Sequence, residues 1–467
     1  MSTTVDAPEG PGTEGTAGTA GRWDRATVTM LTGFFAGSAG AAALVTALGK
    51  QVYDLSGREL DLGWLGLAEF APAAVLVLVT GTIADRFDRR RVSSLGSLGE
   101  AVVTVLVTLY VATSPTAVAP LFGLALGLGV ARSFVAPASR ALPADTVPSA
   151  QLPWLVARWT IVFQVALIFG PVMAGSLYAV DPRAPFAAAA VLFFVASAAF
   201  WLLPPSYASR SRAVAVAVAA DSVDSTAIAV QTAVAEATAT ALAESEAPPG
   251  AAGGPGRLHE ALEGLRLVRH QPILLGAISL DLFAVLFGGA VALLPAIAEE
   301  RLGVGAVGFG WLRAAPGIGA ATMMLLLAIR PLRRHVGRAL LLAVAVFGLA
   351  TVLLGVTTSY VVAFGALVVL AGADALSVFI RITLVPLVTP SSARGRVMAV
   401  ENVFIGASNE LGAFESGVTG QLLGPALAVG LGGVATLVVA ATWARLFPAL
   451  RDVDRFPTPV DEVVAVD

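Results

Sequence analysis

Arg132, Asp281, Asp374, Arg381 and Glu410 each sit inside an otherwise apolar stretch of this 467-residue chain. An ionisable group in such surroundings is expensive unless it is paired, hydrated or functional. Carboxyl groups taken out of water bind protons more readily, so Asp281 and Asp374 are candidate proton carriers and Glu410 is an alternative. Arg132 and Arg381 suit either neutralising those acids or holding an anion, and static pairing would account for each charge equally well. Glu100, Glu401, Asn402 and Asn409 fit interhelical hydrogen bonds that fix packing. A second constellation is "GTIADRFDRRRV" at 81–92, with Gly81, Asp85, Arg86, Arg89, Arg90 and Arg91 directly after an apolar run. A third is a single pair of opposite charge, Glu69 and Arg313, two helical turns inside their apolar segments.

The elements that position these residues follow from composition. The chain is 57% apolar and only 13% charged, with a mean hydropathy of +0.82, against about 25% charged in soluble domains. Most of it must therefore be solvated by lipid. A bilayer core of about 30 Å takes roughly 20 apolar residues per helix, and that window predicts twelve spans: 27–48, 62–84, 92–112, 117–138, 154–177, 184–204, 273–296, 305–329, 339–357, 361–382, 398–420 and 424–444. The fold class expected is all-α integral membrane, with twelve transmembrane helices in two pseudo-symmetric six-helix bundles. The divisions are a disordered cytoplasmic tail (1–26), a first bundle (27–204), a cytoplasmic linker with an interfacial helix (205–271), a second bundle (272–446) and a cytoplasmic tail (447–467). Within the linker, Leu258, Leu262, Leu265 and Val268 share one helical face, which suits the membrane surface.

Two patterns support the division. "GLAEFAP" (66–72) matches "GWLRAAP" (310–316) at an offset that also aligns Arg89 and Arg90 with Arg333 and Arg334. A constant offset over separated landmarks indicates two parallel repeats with a cavity between them, an arrangement suited to alternating access. Basic residues crowd the tails, the linker and alternate loops, whereas the other side holds only Lys50, Arg58, Arg183 and Arg301. That asymmetry places both termini in the cytoplasm.

Gly81, Ala84, Asp85, Arg86, Arg89, Arg90 and Arg91 resemble the signature loop between helices 2 and 3 of the major facilitator superfamily, with Asp88 where a glycine is usual. Asp tolerates left-handed backbone better than most residues, so the turn is expected to survive. The resemblance implies a conformational latch that closes the cytoplasmic side, made by Gly81, Asp85, Arg86, Arg89 and Arg90, with Glu401 as an added partner. "ALIFGPVMAG" (166–175) resembles the antiporter motif at Gly170, Pro171 and Gly175, although small residues that permit close helix packing would suffice. "LDLFAVLFGGAVALLP" (280–295), "GADALSVFIR" (372–381) and "RGRVMAVENVFIGASNELGAFESG" (394–417) resemble the enterobactin-exporter-like branch, which implies proton-driven export of a small molecule such as a siderophore or secondary metabolite. In that fold helices 1, 4, 7 and 10 line the central cavity, and the non-cytoplasmic ends of helices 2 and 8 converge when the protein opens inward. Glu69 and Arg313 are then candidates for a gate pair.

The other function classes recede on chemistry. No Walker-type phosphate loop is present, and no nucleophile–base or metal-spaced cluster points to an enzyme. The absence of cysteine removes thiolate sites and disulfides, and no cofactor is called for. The implied partners are a small-molecule substrate, protons and the lipid bilayer of a bacterial inner membrane; nucleic acid is not among them, and nothing demands more than a monomer. A proton-coupled uptake permease and a non-transporting receptor or scaffold are the alternatives.

Overall fold

The computed structural model describes residues 23–147, 151–204 and 256–457, the side chains at 77–79, 81–82, 84–85 and 256–262 excepted. The first bundle is α1 (Arg25–Ser56), α2 (Glu59–Arg86), α3 (Arg89–Ala112), α4 (Ala119–Thr146), α5 (Leu152–Tyr178) and α6 (Ala184–Leu202). After α7 (Gly256–His270), the second comprises α8 (Pro272–Phe287), α9 (Ala306–Ile329), α10 (Val336–Val356), α11 (Tyr360–Leu387), α12 (Ser391–Leu423) and α13 (Pro425–Leu446). A short helix, α14 (Pro448–Arg451), follows. Every predicted span is helical, because only a helix satisfies its own backbone hydrogen bonds in lipid.

Among the described residues, ten helical segments are long and apolar enough to cross a membrane. α2 carries Glu59, Asp61, Glu69, Asp85 and Arg86, and α12 carries Arg394, Arg396, Glu401, Glu410 and Glu415. α2 and α12 pack against each other, so part of their charge faces protein and the cavity instead of lipid.

The seventh span departs from the expected continuous helix. It stops at Phe287, passes through Gly288 and Gly289 into a 3₁₀ turn (Ala290–Leu293), and ends in a π-helical turn (Ile297–Arg301). A side chain at Gly289 would lie 2.4 Å from the Gly412 carbonyl oxygen, so the break is where α12 comes closest. Seen from its ends, the molecule has a linker end, where α1 starts, α6 and α13 finish and α7 lies, and a far end, where α1 finishes and α2 begins.

The two bundles meet along α2–α12 and α5–α9. Repeat-equivalent glycines sit at both crossings. A Cβ on Gly66 would lie 3.1 Å from the Glu410 carboxylate on α12, and one on Gly310 would lie 2.7 Å from the Pro171 carbonyl oxygen on α5. The first seam runs from Gly420 against Glu59, at the far end, to Gly406 against Phe70. Beyond it, toward the linker end, Val75 and Val403 are 77% and 67% exposed. The second runs from Gly175 against Ala306 to Gly317 against Ile168, past which Ile161 and Leu325 are exposed. Both seams are closed at the far end and part toward the linker end.

At the edges, two further segments pack on protein. α7 packs on protein: Leu265 and Val268 enter the core shared with α8 and α12, and Glu263 pairs with Arg396 at 2.7 Å. The side chains of Leu258 and Leu262 lie outside the described residues. The C-terminal segment is also engaged, with Leu450 fully buried and the backbone of Val453 and Asp454 accepting from Gly337 and Val336. The low-complexity part of the linker, 205–255, lies outside the described residues, as do residues 1–22 and 458–467.

Candidate functional site

Each bundle carries one arginine between two acids. In the second, α8 places Asp281 2.7 Å from Nη2 of Arg381 on α11, and Glu401 of α12 lies 3.5 Å from Nη1. All three side chains are at most 7% exposed. Both Glu401 oxygens and Arg381 Nε are buried without a hydrogen-bond partner. Asp281, a candidate proton carrier, is ion-paired here, and Glu401, a candidate latch partner, lies in this buried cluster.

In the first bundle, Arg132 of α4 lies 3.4 Å from Glu69 of α2 and 3.8 Å from Glu100 of α3. Glu69 is therefore paired within its own bundle. Arg313 Nη1 donates to the Val291 carbonyl at 3.1 Å, and the expected Glu69–Arg313 contact is absent even though the far end is closed. The two groups face the same cavity within Coulombic range.

That cavity has two lobes between the bundles. One, about 500 Å³, is lined by α1, α3, α4 and α5 and includes Glu100, Arg132, Arg140 and Arg313. The other, about 360 Å³, is acidic, lined by Glu69, Asp374, Asn409 and Glu410. Val45, Val291, Arg313 and Pro316 border both. Asp374 and Glu410 have no ion pair or hydrogen bond among the described residues, which leaves them the uncommitted acids of the site. Asn409 donates to the Ile405 carbonyl of its own helix at 2.9 Å, and Asn402 is exposed. Neither makes the interhelical bond expected of it.

The charged loop is built by its caps. Asp88 has φ −59°, not the left-handed backbone anticipated, and its carboxylate caps α3 by accepting from the Arg90 backbone N–H at 3.0 Å. The Arg90 guanidinium also donates to this carboxylate, holding it below the usual carboxylate range, and reaches the Leu203 carbonyl. Arg89 pairs with Asp145 at the end of α4, 3.2 Å away, and Arg86 is exposed. The side chains at Gly81 and Asp85 lie outside the described residues.

A polar clasp that sequence reasoning missed joins the bundles at the far end. Lys50, on α1, bonds to Asp54 of its own helix and to Glu299 of the π turn, the latter at 3.0 Å. Tyr53 donates to Glu300, and Tyr178 of α5 donates to Gln51 at 3.0 Å and Asp54 at 2.8 Å. A signal was present in the sequence: the only lysine ends span 1, and an acidic doublet ends its repeat-equivalent, span 7. The antiporter-like glycines are close-approach points. A Cβ at Gly170 would lie 2.7 Å from the Ala39 carbonyl oxygen, and one at Gly175 2.4 Å from that of Ala306.

Comparison with known proteins agrees with this architecture. The uncharacterized MFS-type transporter YfiS of Bacillus subtilis (strain 168) is 29% identical over 169 residues, 34% of this chain, and the match spans only 39% of that protein. A bacterial homolog of the human lysosomal transporter Spinster, inward-facing and unoccupied, aligns with a TM-score of 0.63 at 14% identity, over 93% of this chain and 98% of that one. A POT family transporter in complex with 5-aminolevulinic acid aligns at 0.65 and 12% identity, over 91% and 96%. At such identities these two structures speak to the fold alone. The family description "Major Facilitator Superfamily" matches residues 27–400, most of the sequence, and on that match the chain belongs to the Major Facilitator Superfamily.

Proposed function

We propose that this chain is a proton-coupled exporter of a small molecule that works by alternating access in a bacterial inner membrane. The observation that carries the reading is the two-lobed charged cavity between bundles whose seams close at one end only. Positive-inside asymmetry assigns the linker end, with both termini, to the cytoplasm, so the structure corresponds to an inward-open state. Export, over uptake, is favoured by the likeness of 280–295, 372–381 and 394–417 to the enterobactin-exporter-like branch and by Gly170, Pro171 and Gly175. Asp374 and Glu410 carry the proton in this reading, because the other acids of the cavity are paired with arginine.

Alternating access is tested on the chain as it stands, since it contains no cysteine. Ser139→Cys, in the first lobe, should react with an impermeant maleimide from the linker side. Ser416→Cys, buried beside Gly289, should react only from the other side and only when the far end opens. Lys50→Ala removes the cross-bundle ion pair, a change of about 1 kcal/mol or roughly fivefold in population, and should raise Ser416→Cys labelling accordingly. Unchanged labelling would discard the clasp as a gate. A Ser416→Cys thiol that never reacts from the opposite side, in either background, would discard alternating access.

The latch belongs to the opposite state. Asp85→Asn should leave the protein folded and inserted while crippling export, because the charge of Asp85 stabilises only the state closed at the cytoplasmic side. A variant exporting at the normal rate would reduce the 86–91 arginines to topology-setting. Export itself is read by comparing metabolites released from a deletion strain and its complement.

A further inference from the structure

The 500 Å³ lobe has a chemistry of its own. We infer that it holds an organic anion with a flat apolar body, an assignment of cargo class that rests on the transport reading above. Its apolar wall is a group of rings. Phe34 packs edge-on against Trp159 and Phe200, with centroids 5.5 and 5.7 Å apart, and Trp159 stacks over Phe163 at 6.3 Å. Aromatic faces in that arrangement favour planar, apolar surface.

The charged groups around those rings are three arginines and one carboxylate, Glu100. Arg140 of the first bundle and Arg313 of the second line the lobe with no carboxylate in ion-pair distance among the described residues, whereas the charge of Arg132 is taken up by Glu69 and Glu100. Ser97, fully buried, and Trp159 also line it, and Ser97 Oγ and Trp159 Nε1 have no hydrogen-bond partner. Buried donors without partners are costly. A ligand that accepts hydrogen bonds and carries negative charge suits this lining. A cation would face three guanidiniums against the one lining carboxylate, Glu100, and a polyol would leave the ring wall unfilled.

The test uses two probes of the same ring and opposite charge, naphthalene-2-sulfonate and 2-naphthyltrimethylammonium, in equilibrium dialysis against the full chain in detergent. The sulfonate should bind at least about tenfold more tightly. Arg140→Gln and Arg313→Gln should each weaken the sulfonate by roughly fivefold while leaving the cation unchanged, and Trp159→Leu should weaken both probes. Equal binding of the two probes, a preference for the cation, or sulfonate affinity unmoved by the arginine substitutions would overturn the assignment. Arg140 is exposed, so its variant keeps the test decisive if Arg313→Gln fails to fold. The dialysis needs no gradient and no second side. A chain that prefers the sulfonate but fails the labelling test loses the transport reading and keeps the anion site, and the reverse result removes the anion site alone.

Discussion

Replacing Arg381 with methionine is expected to destabilise the second bundle by about 3–5 kcal/mol, because it strands two buried carboxylates that share one guanidinium. Asp281 and Glu401 are held 2.7 and 3.5 Å from that group, and Glu401 has no hydrogen bond to fall back on. The loss should appear as a lowered unfolding midpoint in detergent and poor recovery of monodisperse protein. The triple variant Asp281→Asn, Arg381→Met, Glu401→Gln removes every formal charge of the cluster and should regain most of the stability. A single Arg381→Met variant as stable as the parent would show that both acids are already neutral and that the arginine does not hold the bundle together.

The same geometry explains which parts of the molecule were readable in the sequence. Spans were legible because lipid demands self-satisfied backbone over about 20 apolar residues, a constraint that hydropathy measures directly. The break in span 7 was not, since Gly288 and Gly289 are as compatible with an apolar run as alanine. Only the approach of Gly412 and of Phe347, whose ring would meet a Gly288 Cβ at 2.4 Å, makes them breakers. For the site, residue type and depth were legible and partnership was not. Arg132 reached Glu69 and Glu100, and Arg381 reached Asp281 and Glu401, through helix rotations that no linear pattern encodes. Asp88 was misread for a related reason: a carboxylate suits either a tolerated left-handed turn or a helix cap, and the start of α3 at Arg89 decides for the cap.

The other large effect concerns coupling. Asp374→Asn and Glu410→Gln are each expected to lower proton-driven accumulation in proteoliposomes by at least about tenfold, or ~1.4 kcal/mol, while exchange of the same molecule at equal pH on both sides persists. These two acids line the acidic lobe without a partner, so the amide is close in shape and removes only the proton site. Asp281→Asn should instead behave as a stability variant, since its carboxylate answers to Arg381. Accumulation preserved in both Asp374→Asn and Glu410→Gln would move the coupling site to the arginine-bound acids. Loss of exchange as well as accumulation would make the pair part of the binding surface.

The far-end clasp also gives the unaltered chain a chemical handle. Lys50 is the one lysine in 467 residues, so an acylating reagent has a single side-chain amine to find, besides the chain's own α-amine. That amine is tied to Asp54 and Glu299, with its side chain 14% exposed, and a protonated, ion-paired amine is a poor nucleophile. Parting of the two bundles there removes one of its two counter-ions and admits water. The rate of acylation at one peptide, followed by mass spectrometry in native membranes, becomes a clock for how often the two bundles part at the far end.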